Sequence, residues 1–199
     1  MESNVGPGAL IKLIGGALRF DRELYTRAIE DSTYNRLGLA VVILAALSNG
    51  FGYAAEGVAR GMIGEREYAV YRLLVIVGVA EVIVHFFLFT AAAWLVRLLV
   101  DRPRAPYTRL MRPLSLALAP SCLLFLGALL GFPDAVRGVL ALWRIAASVW
   151  ALRLAVDASW PGAIVTVLVA DLVAAPVVHL ALFGVSDGGP IPALPAISA

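Results

Sequence analysis

Five long apolar segments set the terms on which this chain can fold: about Leu37 to Tyr53, Val70 to Val96, Leu114 to Leu130, Val136 to Val156 and Ala163 to Gly184. Each runs for about 17 to 27 residues, and about 20 are needed to carry a helix across a hydrocarbon core ~30 Å thick. A backbone in lipid must satisfy its own N–H and C=O groups, which leaves helices and closed barrels, and segments this long and this uniformly apolar are helical. Composition agrees, because 61% of the 199 residues are apolar and only 15% are charged, outside the range of ordinary soluble domains. The sequence therefore predicts an all-α membrane protein, a five-span transmembrane helical bundle over residues 37–184. A disordered tail rich in proline and glycine, 185–199, is expected to follow it.

Residues 1–36 read as an amphipathic segment at the membrane surface. Leu10, Leu13, Ile14, Ala17, Leu18, Leu24, Tyr25 and Ala28 recur at helical spacing against Lys12, Arg19, Arg22, Glu23, Arg27 and Glu30. Such a helix either lies on the inner face of the membrane or packs against the bundle's cytoplasmic end. A cleaved signal peptide is not expected, since Glu2 opens the chain and Lys12 interrupts the first apolar run. Basic residues collect in this segment and in the loop between spans two and three, which holds Arg97, Arg102, Arg104, Arg109 and Arg112. By the positive-inside rule both face the cytoplasm, placing the N-terminus inside and the C-terminus outside. The loop arginines either hold anionic lipid headgroups or only fix topology.

There is no phosphate-binding loop, dinucleotide fingerprint or His-Glu-x-x-His. No enzymatic activity and no cofactor are expected. A single cysteine, Cys122, excludes an intrachain disulfide, and a formal net charge of +2 gives no footprint for nucleic acid. The glycines of "SNGFG" and the "GALLG" spacing at Gly127 to Gly131 read as helix packing contacts.

What remains is charge inside the spans, where each ionisable group costs about 2.5–3.5 kcal/mol to insert and tends to be paired or functional. Glu81, His85, Arg144, Asp171 and, nearer an edge, His179 are such groups. At a rise of 1.5 Å per residue, Arg144 lies roughly 12 Å, Glu81 roughly 16 Å and Asp171 roughly 17 Å below the outer boundary. Asn49 reaches about the same level, and His85 sits one turn from Glu81. The sequence thus predicts an intramembrane polar cluster of Glu81, His85, Arg144, Asp171 and Asn49, with Glu81 and Asp171 as partners of Arg144. It either fixes helix register or forms a proton or ion path. Glu81 and His85 supply only half a metal-ligand set, so no metal is expected. Arg153 and Asp157, four apart at the end of span four, read as a local ion pair, and Trp143 and Trp150 as a packing stripe.

The five-span plan, the basic loop, "MRPLSLALAP", the "GFP" turn at Gly131 to Pro133 and "LWRIAASVWALRLAVDASWPGAIVTVLVADLV" resemble the bacterial branch of the Ypt-interacting protein (Yip) family over spans two to five. That resemblance implies a cytosolic N-terminus, five spans, residence in a bacterial plasma membrane and no catalysis. It aligns Pro120, Trp143, Trp150 and Arg153 with recurrent family positions in packing and topology. Eukaryotic members associate with small GTPases in vesicle traffic through a long N-terminal region bearing an Asp-Leu-Tyr-Gly-Pro type motif. This chain lacks that motif, so GTPase binding is not implied. The leading expectation is a membrane-organising scaffold or complex-associated subunit. Its partners would be membrane lipids, anionic headgroups among them, and further copies of itself or a larger complex. The alternative is a small proton-coupled transporter using the Glu/His/Asp/Arg cluster.

Overall fold

The computed structural model describes residues 7–59, 68–100, 105–130 and 133–183, and these are helical with no strand among them. Two short helices, α1 (Pro7–Leu18) and α2 (Arg22–Glu30), precede the long α3 (Tyr34–Ala59) and α4 (Tyr68–Val100). The third span is divided into α5 (Tyr107–Leu116), a 3₁₀ turn (Ala119–Leu123) and α6 (Phe125–Leu129). Two further long helices, α7 (Pro133–Val156) and α8 (Trp160–Phe183), complete the chain. Five stretches are long and apolar enough to cross a membrane, counting the divided third span as one. The chain is an all-α membrane bundle preceded by short N-terminal helices. The tail from 185 onwards lies outside the described residues, as do Arg102, Arg104 and Gly131.

Spans one, two, four and five fall where the apolar segments put them, each a few residues longer at one or both ends. The third does not. A helix over Leu114 to Leu130 was the expectation, but helix begins at Tyr107 and α5 stops at Leu116. Leu116 is the residue four before Pro120, whose ring would meet that carbonyl and whose nitrogen has no proton to give it. Neighbouring spans take up the groups this break frees. The Ser48 hydroxyl of α3 accepts from the Phe125 N–H at 3.0 Å, and the Cys122 thiol lies 3.8 Å from the Val41 carbonyl.

The break decides the architecture. Residues 113–121 are buried without a gap, so helix and turn are enclosed on every side. On the side of the molecule that carries the N-terminal helices, α5 touches α2, α3, α4 and α7 and fills the middle of the bundle. Beyond the turn the chain leaves the centre and joins the wall. There α3 packs on α4, α4 on α8, α8 on α7, α7 on the turn and α6, and these on α3, closing a ring.

The tightest contact in the ring is α3 on α4, which cross backbone to backbone. A Cβ on Gly50 would stand 2.6 Å from the Val75 carbonyl oxygen, and one on Gly78 would stand 2.6 Å from the Tyr53 ring and 2.7 Å from the Gly50 Cα. Small residues admit such an approach in lipid, where packing rather than water exclusion holds helices together.

The N-terminal segment is two helices rather than one. Phe20, at φ 57°, ends α1, with the Asp21 N–H returning to the Gly16 carbonyl at 3.0 Å. Asp21 then caps α2, its carboxylate accepting from the N–H groups of Glu23 and Leu24 at 3.0 and 3.3 Å. The buried face, Leu13, Ala17, Tyr25, Ala28 and Ile29, joins the main core. Of the two expected arrangements, packing against the end of the bundle is therefore the one seen, with α2 on α5 and α7 and α1 on the 3₁₀ turn. Arg112 ties the junction by donating to Asn35 Oδ1 at 2.8 Å and to the Ile29 carbonyl at 3.2 Å. The Thr33 N–H, and after it the nearby Arg112 charge, holds the Asp31 carboxyl below its ordinary pKa.

At the other turn on this side, the expected Arg153–Asp157 ion pair is replaced. Asp157 takes φ 50° to end α7, the Ala158 N–H bonding back to the Arg153 carbonyl, so its side chain leaves the helical register that would have faced Arg153. Arg153 instead stacks over Trp160 at 4.3 Å, and Trp150 packs on the same indole at 6.0 Å.

Two substitutions test this packing through thermal unfolding in a single detergent. Gly78→Ala should lower stability by about 1–3 kcal/mol, because the added methyl meets backbone that cannot step aside. Gly15→Ala, with nothing within 4 Å, serves as the neutral or mildly stabilising control. Tyr25 is fully buried, its hydroxyl has no hydrogen-bond partner and burial pushes its pKa up. Tyr25→Phe should therefore match or exceed the wild-type stability, whereas Tyr25→Ala should lose about 3–5 kcal/mol.

Candidate functional site: a polar cavity in the ring

Because α5 fills only one half of the ring, the other half encloses space. A cavity of about 810 Å³ lies between α3, α4, α7, α8 and the third span, and Asn49, Glu81, His85, Arg144, Asp171 and His179 all line it. Helical spacing puts them there. Asn49 and Tyr53 are four apart on α3, Glu81 and His85 four apart on α4, and Arg137 and Arg144 seven apart on α7, so each pair shares one helix face.

The charges sort into distinct groups. Arg144 Nη2 lies 3.1 Å from Asp171 Oδ1, joining α7 to α8, and His85 Nε2 approaches the same oxygen at 3.1 Å from α4. The carboxylate thus ties α7 to α8, with the His85 ring of α4 close beside it but outside hydrogen-bond geometry. The ring of His85 also stacks on Phe89, centroids 6.0 Å apart. The second carboxylate is placed differently from expectation, since Glu81 makes no ion pair with Arg144. Asn49 reaches across the Gly50–Gly78 crossing instead, its Nδ2 donating to the Gly78 carbonyl at 2.9 Å and to Glu81 Oε2 at 3.0 Å, while Tyr53 lines the same cavity one turn further along α3. The close approach of α3 to α4 is what brings a short asparagine within reach of Glu81.

Nearer the far side a further pair appears. Arg137 Nη2 lies 2.6 Å from Glu56 Oε2, and its guanidinium covers the Tyr53 ring at 4.6 Å. Neither Glu56 nor Arg137 was among the residues singled out from the sequence. The signal was present, since Glu56 follows Tyr53 by three and Asn49 by seven and so continues the same α3 stripe.

The loop arginines part company. Arg97 is buried, close against Gly162 at the start of α8, and Arg112 is spent on Asn35 and Ile29, so neither offers its guanidinium to a lipid surface. Arg109 is exposed. Among the described residues no group of three His, Cys, Asp or Glu is placed to hold a metal ion.

No family model matches the chain, and neither a curated protein nor a solved structure is similar to it.

A double-mutant cycle tests the tie between α7 and α8. Arg144→Gln and Asp171→Asn alone each strand a charge in the bundle and should lower stability by several kcal/mol, toward the low end of the about 3–5 kcal/mol known for fully buried pairs, since these side chains are 23% and 29% exposed. The double variant should recover most of that loss. Equal, additive losses would mean that the two side chains are not coupled.

Proposed function

We propose that this chain is a non-catalytic integral membrane protein whose working part is the cavity, a small carrier that binds a polar or charged solute between its spans. The observation that carries this reading is that Glu81, His85, Arg144 and Asp171 open onto one space of about 810 Å³. Ligand sites are concave spaces of this size with a few convergent polar groups. A cluster that served only to fix helix register would be packed over.

In this reading the cluster divides its labour. Arg144 and Asp171 neutralise each other and hold α7 to α8, and His85 stands beside the paired oxygen. Glu81, held by the neutral Asn49 amide, is the group that meets a charged solute. Basic residues at the N-terminal side, Lys12, Arg19, Arg22, Arg27 and Arg109 among them, support a cytoplasmic N-terminus, so that the cavity faces the outer half of a bacterial plasma membrane.

A membrane-organising scaffold of the Yip type is the second reading. What supports it, besides the likeness of spans two to five, is that the Arg144–Asp171 pair closes without Glu81, as a purely structural tie would. Copies of the chain or a larger membrane complex would then be the partners.

Cysteine accessibility separates the two. In a Cys122→Ser background, Val82→Cys lies on the cavity wall and Ile76→Cys lies 63% exposed on the outside of α4. A charged, membrane-impermeant thiol reagent should label Val82→Cys from one side of the membrane only and leave Ile76→Cys untouched. Failure to label Val82→Cys from either side would sink the carrier reading and favour the scaffold.

A further inference from the structure

The charge balance of the cavity names the class of solute. Arg144 is matched by Asp171 and Arg137 by Glu56, at 3.1 and 2.6 Å. Glu81 is the remainder: it receives the Asn49 amide at 3.0 Å, and no basic side chain among the described residues pairs with it. That donor is neutral, so the protein itself supplies no counter-charge to this carboxylate. Such a group is completed by a cation.

The walls say what kind of cation. Apart from the charged groups the lining is mostly aliphatic, and its α7–α8 side is open. Leu168 and Leu172 of α8 line the cavity while 51% and 74% exposed, and Ala141 of α7 lines it and is exposed as well. The Arg144–Asp171 pair bridges α7 and α8 at the inner end of this opening. A small hydrated ion would gain nothing from aliphatic walls. An organic cation with apolar substituents could enter between the helices from the hydrocarbon, keep its apolar part against Leu168 and Leu172, and bring its charge to Glu81.

We infer that the cavity is a binding site for lipophilic organic cations, with Glu81 as the counter-charge and the α7–α8 gap as the entrance. The inference rests on the carrier reading above, because it requires the cavity to be reachable.

Radiolabelled tetraphenylphosphonium is the probe, added to the purified full-length chain in detergent micelles, with binding taken as the part displaced by excess unlabelled probe. Saturable binding is expected. It should fall at least ten-fold in Glu81→Gln, survive in Glu81→Asp, and weaken in Leu172→Trp, which narrows the entrance. Tetraphenylborate has the same shape and the opposite charge, and it should not displace the probe from the wild type. That comparison needs no variant to fold. Equal binding to a folded Glu81→Gln chain, or equal displacement by the borate, overturns the inference. Absence of saturable binding while Val82→Cys is still labelled overturns it too but leaves the carrier reading standing, whereas absence of both results removes the two together.

Discussion

Hydrocarbon offers a peptide no hydrogen bonds, so a helix that breaks inside a membrane must hand its freed groups to other parts of the protein. In this bundle the third span breaks, and the other spans are arranged around that fact. Pro120 ends α5 at Leu116, Ser48 of α3 receives the N–H that opens α6, and the whole stretch from 113 to 121 is sealed by neighbours. One half of the span is thereby a central plug and the other half part of the wall. The cavity is the space the span would have filled had it run straight.

Electrostatics then follow from geometry. Four helices turn polar faces toward this space, where Arg144 meets Asp171, Arg137 meets Glu56 and Glu81 receives the Asn49 amide. The Asp171 oxygen takes the Arg144 guanidinium of α7 and has the His85 ring of α4 at 3.1 Å, so the ion pair sits where three helices meet. Glu81 lies one turn from His85 on the same helix but belongs to a separate network, built from the α3 stripe of Asn49, Tyr53 and Glu56. The Gly50–Gly78 crossing keeps that network short.

Much of this could be read from the residues alone. Span number and placement follow from hydrophobic length, and the depth argument put Arg144, Glu81 and Asp171 at one level because helical rise is nearly constant. Depth does not fix azimuth, however. Which carboxylate meets Arg144 depends on the rotation and order of the helices around the ring, and neither is written in a single span. Asp171 was one of two expected partners and Glu81 the other, and only the first is in contact. Glu56 and Arg137 escaped because they lie near helix ends, where charge is ordinary and draws no attention. The third span was misjudged for a local reason: apolarity continues through Pro120 although the helix cannot. Arg153 turned to Trp160 because the positive φ of Asp157 took away the partner its spacing promised.

The Arg144–Asp171 pair also has a bearing on how the chain enters the membrane in the first place. Its members sit on consecutive spans joined by residues 157–159 alone. Threaded into lipid one at a time, each helix would carry an uncompensated charge costing about 2.5–3.5 kcal/mol, whereas a hairpin delivers the charge together with its neutraliser. The three-residue turn between α7 and α8 is short enough to keep the two spans together as such a hairpin.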